Sequence, residues 1–106
     1  MARVALLSRD LLFGSKVEGG LRAAGHEVTV YGSEDDVREA DLLVVDLTGG
    51  DFDPAKVTHG VPTLGFYSHV DVETRRRAEE AGFDLVVPRS RMAREMAALV
   101  DRMVAA

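Results

Sequence analysis

Two rhythms of apolar residues alternate along the chain. Short unbroken or β-branched runs at residues 4–7, 27–31, 42–45, 61–67 and 85–87 predict five strands. Leu42-Leu43-Val44-Val45 has no polar alternation, which predicts a central parallel strand covered on both faces. Between these runs the spacing changes to helical. Residues 11–24 bring Phe13, Val17, Leu21 and Ala24 onto one face, and Gly25 stands where a helix is stopped. Ser33 followed by Glu34-Asp35-Asp36 predicts a capped helix of about two turns, reaching Ala40. Residues 52–57 allow one helical turn at most. Residues 71–81 predict a short helix capped by Asp71 and ended by Gly82. Residues 91–104 predict a closing helix with Ser90 as N-cap and Met92, Met96, Leu99, Val100 and Met103 on its apolar face. The alternation implies an α/β fold: a doubly wound, five-stranded parallel sheet in the order 2-1-3-4-5, with helices on both faces.

Composition narrows the possibilities. The 106 residues fit a single domain over 1–106. Eighteen acids against thirteen bases give a net charge of -5, the wrong sign for a general nucleic-acid binder. With no cysteine, thiolate metal sites, disulfides and cysteine nucleophiles are excluded. The three histidines, at 26, 59 and 69, make no metal-ligand spacing. No apolar run is long enough for a membrane span or a signal peptide, so a cytoplasmic setting is expected. Arg75-Arg76-Arg77 precedes Glu79-Glu80 at i,i+4 spacing, the pattern of a solvated helix face. Glycine-rich phosphate loops are absent.

In a sheet wound this way, ligands bind at the carboxyl ends of the strands. Those ends read Ser8-Arg9-Asp10, Asp46-Leu47-Thr48, Ser68-His69-Val70-Asp71 and Pro88-Arg89-Ser90-Arg91. Asp46 stands out, because a carboxylate at the end of a buried strand is unfavourable unless paired, ligating or solvated. It can act as a nucleophile toward an activated phosphoryl group, or simply brace the loop that follows. Ser68 suits either a phosphoryl oxygen or a turn. Arg89 suits an anion held near Asp46, and Arg9, Thr48, His69 and Arg91 form a wider candidate anion rim. Asp10 and Asp46 are the only candidate metal ligands.

The order of these pieces resembles the receiver domain of response regulators, a flavodoxin-like fold. The resemblance rests on Ala40-Asp41-Leu42-Leu43-Val44-Val45-Asp46-Leu47, on Ala81-Gly82-Phe83-Asp84-Leu85-Val86-Val87 and on Gly25-His26-Glu27-Val28. It implies Asp46 as phosphoacceptor, Ser68 as the hydroxyl switch residue and Arg89 in place of the family's lysine. Two features depart from the family. Ser8 and Arg9 stand where it carries an acidic pair for Mg²⁺, leaving only Asp10 acidic. Pro88 precedes Arg89 instead of following it, which bears on whether the Val87–Pro88 peptide is cis. The connections between the second and third and between the third and fourth strands are also short.

The resemblance therefore implies an atypical or pseudo-receiver that signals through protein contacts, with no enzymatic activity and no cofactor expected. Two alternatives stay open. One is a phosphoacceptor of a two-component phosphorelay, taking a phosphoryl group from a histidine kinase onto Asp46 with Mg²⁺. The other is a small-anion or nucleotide sensor at the rim. A signalling protein or kinase is the expected partner. Homodimers are expected through the family's helix 4–strand 5–helix 5 face, here residues 75–80 and 91–102. Nucleic acid and membrane are not.

Overall fold

The computed structural model describes residues 2–50, 52–57, 60–68 and 70–105. In chain order the elements are β1 (Arg3–Leu7), α1 (Leu11–Ala23), β2 (Glu27–Tyr31), β3 (Leu42–Asp46), β4 (Thr63–Tyr67), α2 (Val72–Glu80), β5 (Leu85–Pro88) and α3 (Arg89–Ala105). Single 3-10 turns lie at Glu34–Asp36, Thr48–Gly50 and Pro54–Lys56. The strands form one parallel sheet in the order β2-β1-β3-β4-β5, as the sequence predicts.

Burial follows strand position. Every residue of β3 and β4 is buried, matching their continuous apolar runs. Edge strand β2 is far more open, with Val28 buried and Glu27, Thr29 and Val30 exposed. Two apolar layers cover the sheet. On one face Val4, Leu6, Val44 and Phe66 pack beneath Phe13, Val17 and Leu21 of α1 and Met92, Met96 and Leu99 of α3. On the other, Ala5, Leu7, Leu43 and Val45 meet Leu47, Phe52, Val57, Ala78 and Phe83. That second face has one nine-residue helix, α2, and the 3-10 turns, against helices of 13 and 17 residues on the first.

The sheet's amino end is locked by a device used twice. Asp41, just before β3, exchanges bonds with Arg3 at the start of β1: its carboxylate accepts the Arg3 amide at 2.9 Å and its own amide donates back at 2.8 Å. Asp84, just before β5, does the same with Thr63 at the start of β4, at 2.8 and 3.0 Å. Nearby, buried His26 accepts the Ala2 amide on Nδ1 at 3.2 Å, which leaves Nε2 as the protonated nitrogen, donating to Asp101 of α3 at 2.7 Å. Ala2, the α1–β2 turn and α3 are thereby joined.

Three local expectations need correction or completion. Ser33 caps as predicted, its Oγ accepting the Asp35 amide at 3.2 Å, yet a single 3-10 turn replaces the two-turn helix to Ala40. None of its residues is buried and Val37 is already extended, so no apolar face holds a helix there. Ser90 is not the N-cap of the last helix, because β5 runs directly into α3 and Ser90 lies in its first turn. No cis peptide occurs among the described residues, so Val87–Pro88 is trans. Gly25 and Gly82 adopt φ of 96° and 97°, where glycine ends α1 and α2 without the steric penalty of a side chain.

Candidate functional site

Asp46 is the last residue of β3, opposite Phe66 of β4 and 4% exposed. Side chains alternate along a strand, so Asp46 shares the α1–α3 side of the sheet with Val44. Ser8, the residue after β1, follows the same parity and is also buried. Its hydroxyl donates to Asp46 Oδ2 at 3.3 Å, while the Thr48 amide donates to Oδ1 at 2.9 Å. One carboxylate thus ties the ends of β1 and β3 to the turn that follows. Burial pushes the Asp46 carboxyl above its ordinary value of 3.8; the Thr48 amide, the Ser8 hydroxyl and the charge of Arg89 oppose that rise without cancelling it. The Thr48 hydroxyl is buried and has no hydrogen-bond partner among the described residues. Gly14 of α1 presses on Ser8: a Cβ at Gly14 would lie 3.0 Å from Ser8 Oγ.

The candidate cations do not converge on Asp46. Arg89 Nη2 donates to Asp10 Oδ2 at 3.0 Å, and its guanidinium lies 4.2 Å from the centre of the Phe13 ring. Asp10 caps α1, its Oδ1 accepting the Leu12 and Phe13 amides, both at 3.0 Å. Those amide bonds, the Phe13 bond foremost, and the Arg89 charge hold the Asp10 carboxyl below 3.8. Arg9 turns to the opposite side, where Nε donates to the Gly32 carbonyl at 2.8 Å and the guanidinium sits 5.5 Å from the Phe52 ring centre. Arg91 pairs with Glu95 one turn along α3 at 3.4 Å. Ser68 follows β4 and no hydrogen bond joins its hydroxyl to Asp46; its carbonyl accepts the Asp71 amide at 2.8 Å, the turn role allowed for it. His69 lies outside the described residues.

Sequence reading puts Ser8 and Asp46 at strand ends on one rim, but it misses their hydrogen bond, Phe13 and Gly14. Phe13 reads only as a core residue, and nothing in its spacing shows that a cation 76 residues later stacks on it. A concavity of about 560 Å³ lies at the amino end of the strands around Arg3, His26 and Glu27, away from Asp46.

A receiver-type site implies Mg²⁺, which asks for near-octahedral oxygen ligands supplied by carboxylates. Here Asp46 offers one carboxylate whose two oxygens already accept from Thr48 and Ser8. Asp10 is divided between its helix cap and the Arg89 cation. Among the described residues no group of three histidine, aspartate or glutamate side chains could hold a metal ion. The residues at this site do not fit Mg²⁺.

No protein-family profile matches the chain, and no curated protein sequence does. Solved structures do match. The receiver domain of the TMAO respiratory system response regulator TorR superposes with a TM-score of 0.85 at 16% identity, covering 98% of this chain and 97% of that one. A response regulator of Chloroflexus aurantiacus gives 0.85 at 19% identity over 99% and 98% of the two chains. The receiver domain of NtrX from Brucella abortus gives 0.80 at 19% identity over 96% and 98%. Against a longer NtrX chain of that organism, determined in complex with ADP, this chain spans 27% of the length. No helix among the described residues is long and apolar enough to cross a membrane. Sheet order, helix placement and these superpositions together give the chain the fold of response-regulator receiver domains.

Proposed function

We propose that the chain is a receiver-type signalling module that works through protein contacts, with Asp46 serving as a structural carboxyl group and not as a magnesium-dependent phosphoacceptor. The observation that carries this reading is the enclosure of Asp46. Its oxygens are held by the Ser8 hydroxyl and the Thr48 amide, and Asp10, the acid that follows β1, is committed to Arg89. A phosphoryl group on Asp46 would need its negative charge neutralised as it forms. Arg9 and Arg89 are the cations at hand, and each already has partners.

The phosphoacceptor reading draws on one feature, the position of Asp46 at the carboxyl end of the central strand with the Arg89 charge felt there. Incubation with acetyl phosphate and Mg²⁺, followed by intact mass spectrometry, separates the two. The contact reading expects no adduct. A stoichiometric phosphoryl adduct that disappears in Asp46→Asn overturns it in favour of phosphotransfer. The anion-sensor reading has less support, because Arg9, Arg89 and Arg91 each have a partner within the fold.

A further inference from the structure

His26 is buried, 8% exposed, and takes no part in the Asp46 site. It holds together residues far apart in the chain. Ala2 lies 24 residues before it and Asp101 lies 75 after it. The ring serves both through opposite roles: Nδ1 accepts the Ala2 amide at 3.2 Å, and Nε2 donates to Asp101 Oδ1 at 2.7 Å. Only the neutral ring, in one tautomer, can do both.

A proton taken up from solvent would set these two bonds against each other. Imidazolium carries a proton on each nitrogen and accepts nothing. Its Nε2–H would face the Asp101 carboxylate as a charge-assisted bond, stronger than before. Its Nδ1–H would face the Ala2 N–H, donor against donor, in a buried place where an unmade bond is costly. Ala2 is the partner that can yield. Its carbonyl accepts the Glu27 amide at 2.9 Å, and the next residue, Arg3, is fixed to Asp41 through both its amide and its carbonyl. Loss of the Ala2–His26 bond therefore stops at the start of β1 and leaves the sheet paired.

Protons have a route to the ring, because His26 lines the 560 Å³ concavity at this end of the sheet. The charged groups around that concavity come from every neighbouring element and balance in sign. Arg3 of β1 and Arg22 of α1 oppose a cation there, while Glu27 of β2 and Glu39 ahead of β3 favour one. Arg22 is paired with Glu18 at 2.8 Å, and Arg3 lies 3.9 Å from Glu39. On α3, Asp101 touches the ring, and Arg102, next along the helix, is exposed.

We infer that His26 is a proton-operated latch: neutral, it holds the Ala2 amide against the α1–β2 turn; protonated, it lets Ala2 go and grips Asp101 of α3 more firmly. Histidine is the side chain suited to this, since it changes charge between about pH 5 and about pH 8. The latch stands apart from the contact reading above, because it lies at the amino end of the strands and Asp46 lies at the carboxyl end.

The test follows the isotopically labelled chain by NMR from about pH 8 down to about pH 5. At the start, ring nitrogen shifts should show Nδ1 bare and Nε2 protonated. On acidification, protonation of the ring and movement of the Ala2 amide should share one midpoint. Hydrogen exchange at Ala2, corrected for the intrinsic effect of pH, should speed up by about tenfold or more. The Arg3 and Glu27 amides should keep their protection, and the circular dichroism should not change. His26→Asn keeps an oxygen that can accept from Ala2 but cannot take up a proton, so its Ala2 amide should stay unmoved throughout. Asp101→Asn removes the charge that favours imidazolium and should move the midpoint to lower pH; its side chain is 59% exposed, so this variant keeps the fold even where a change at His26 disturbs the core. A ring that stays neutral over the whole range overturns the latch, as does a protonated ring with Ala2 still protected. So does an unmoved midpoint in Asp101→Asn, or release of Ala2 that persists in His26→Asn. Release that coincides with loss of the circular dichroism signal is unfolding and overturns it too.

Discussion

Gly65, in the middle of β4, offers the sharpest test of how the sheet supports the Asp46 loop. It pairs with Val45 on one side and Val86 on the other. A Cβ there would stand 2.9 Å from Leu47 Cδ1 and 2.9 Å from two ring carbons of Phe83. Carbon atoms pack best about 3.5–4.0 Å apart, so both side chains would have to yield by roughly 0.6–1 Å. Neither has room, because Leu47 is 1% and Phe83 7% exposed. Overpacking of this kind costs about 1–3 kcal/mol. Replacing a strand glycine by alanine returns about 0.5–1 kcal/mol of backbone entropy. Gly65→Ala should therefore lose about 1–2 kcal/mol net, and its melting temperature should fall by about 5–15 °C. Urea unfolding followed by circular dichroism measures the first figure, and a thermal melt the second. The slope of free energy against urea should not change, since the native surface does not. Because Leu47 lies between Asp46 and Thr48, the strain should also appear as amide shifts at Thr48 and Ser8. Adding Phe83→Leu should restore part of the loss, with a coupling of about 0.5 kcal/mol or more. A Gly65→Ala chain within about 0.3 kcal/mol of the parent would show that the β4 packing is looser than these contacts require.

Other expectations follow from the same geometry. Asp46→Ala leaves the Ser8 hydroxyl and the Thr48 amide unpaired and should cost about 1–3 kcal/mol in urea unfolding. Asp46→Asn keeps an acceptor for Thr48 and should be at least as stable as the parent at pH 7. The raised Asp46 carboxyl gives stability that is complete below its ordinary value of 3.8 and is lost as pH rises through the folded value, so the advantage of Asn should shrink toward acid pH. Asp10 has the opposite sign: its lowered carboxyl contributes above 3.8, and that contribution is lost as pH falls through the folded value. An NMR titration should show the Leu12 and Phe13 amides moving in that acid range, and Asp10→Ala should abolish the movement. Asp84→Ala leaves the amide of buried Thr63 without its acceptor and should cost about 1–2 kcal/mol; an unchanged midpoint would show that the second amino-end lock is dispensable.

The strands were legible because their residues are of one kind. Leu42–Val45 and Leu85–Val87 allow no amphipathic alternative, and strand order followed from right-handed crossovers. Helix α1 was legible from Phe13, Val17 and Leu21, which do face the core. The segment after Ser33 misled because its cap and acids are genuine helix-start signals, while the apolar face that would hold a longer helix is missing. Ser90 misled because a strand that enters a helix without a loop leaves no separate cap position. At the site, the shared rim of Ser8 and Asp46 could be read from strand order, whereas Arg89 meeting Asp10 joins residues 79 apart and depends on how α3 tilts over Phe13. The repeated Asp-Leu run before β3 and β5 was a readable signal for the amino-end locks, since each aspartate sits one residue ahead of an apolar strand.

The unequal cladding of the sheet divides the rim into a stiff half and a soft one. Ser8, Asp10, Phe13 and Arg89 rest on the side roofed by two long helices. Thr48–Gly50 and the segment carrying Phe52 rest on the side roofed by a single short helix and isolated turns. Local opening is easiest where few buried contacts must part. Motion arriving at this end of the molecule should thus be taken up by the turns at Thr48–Gly50 and Pro54–Lys56, leaving Asp46 as the fulcrum between a fixed wall and a yielding one.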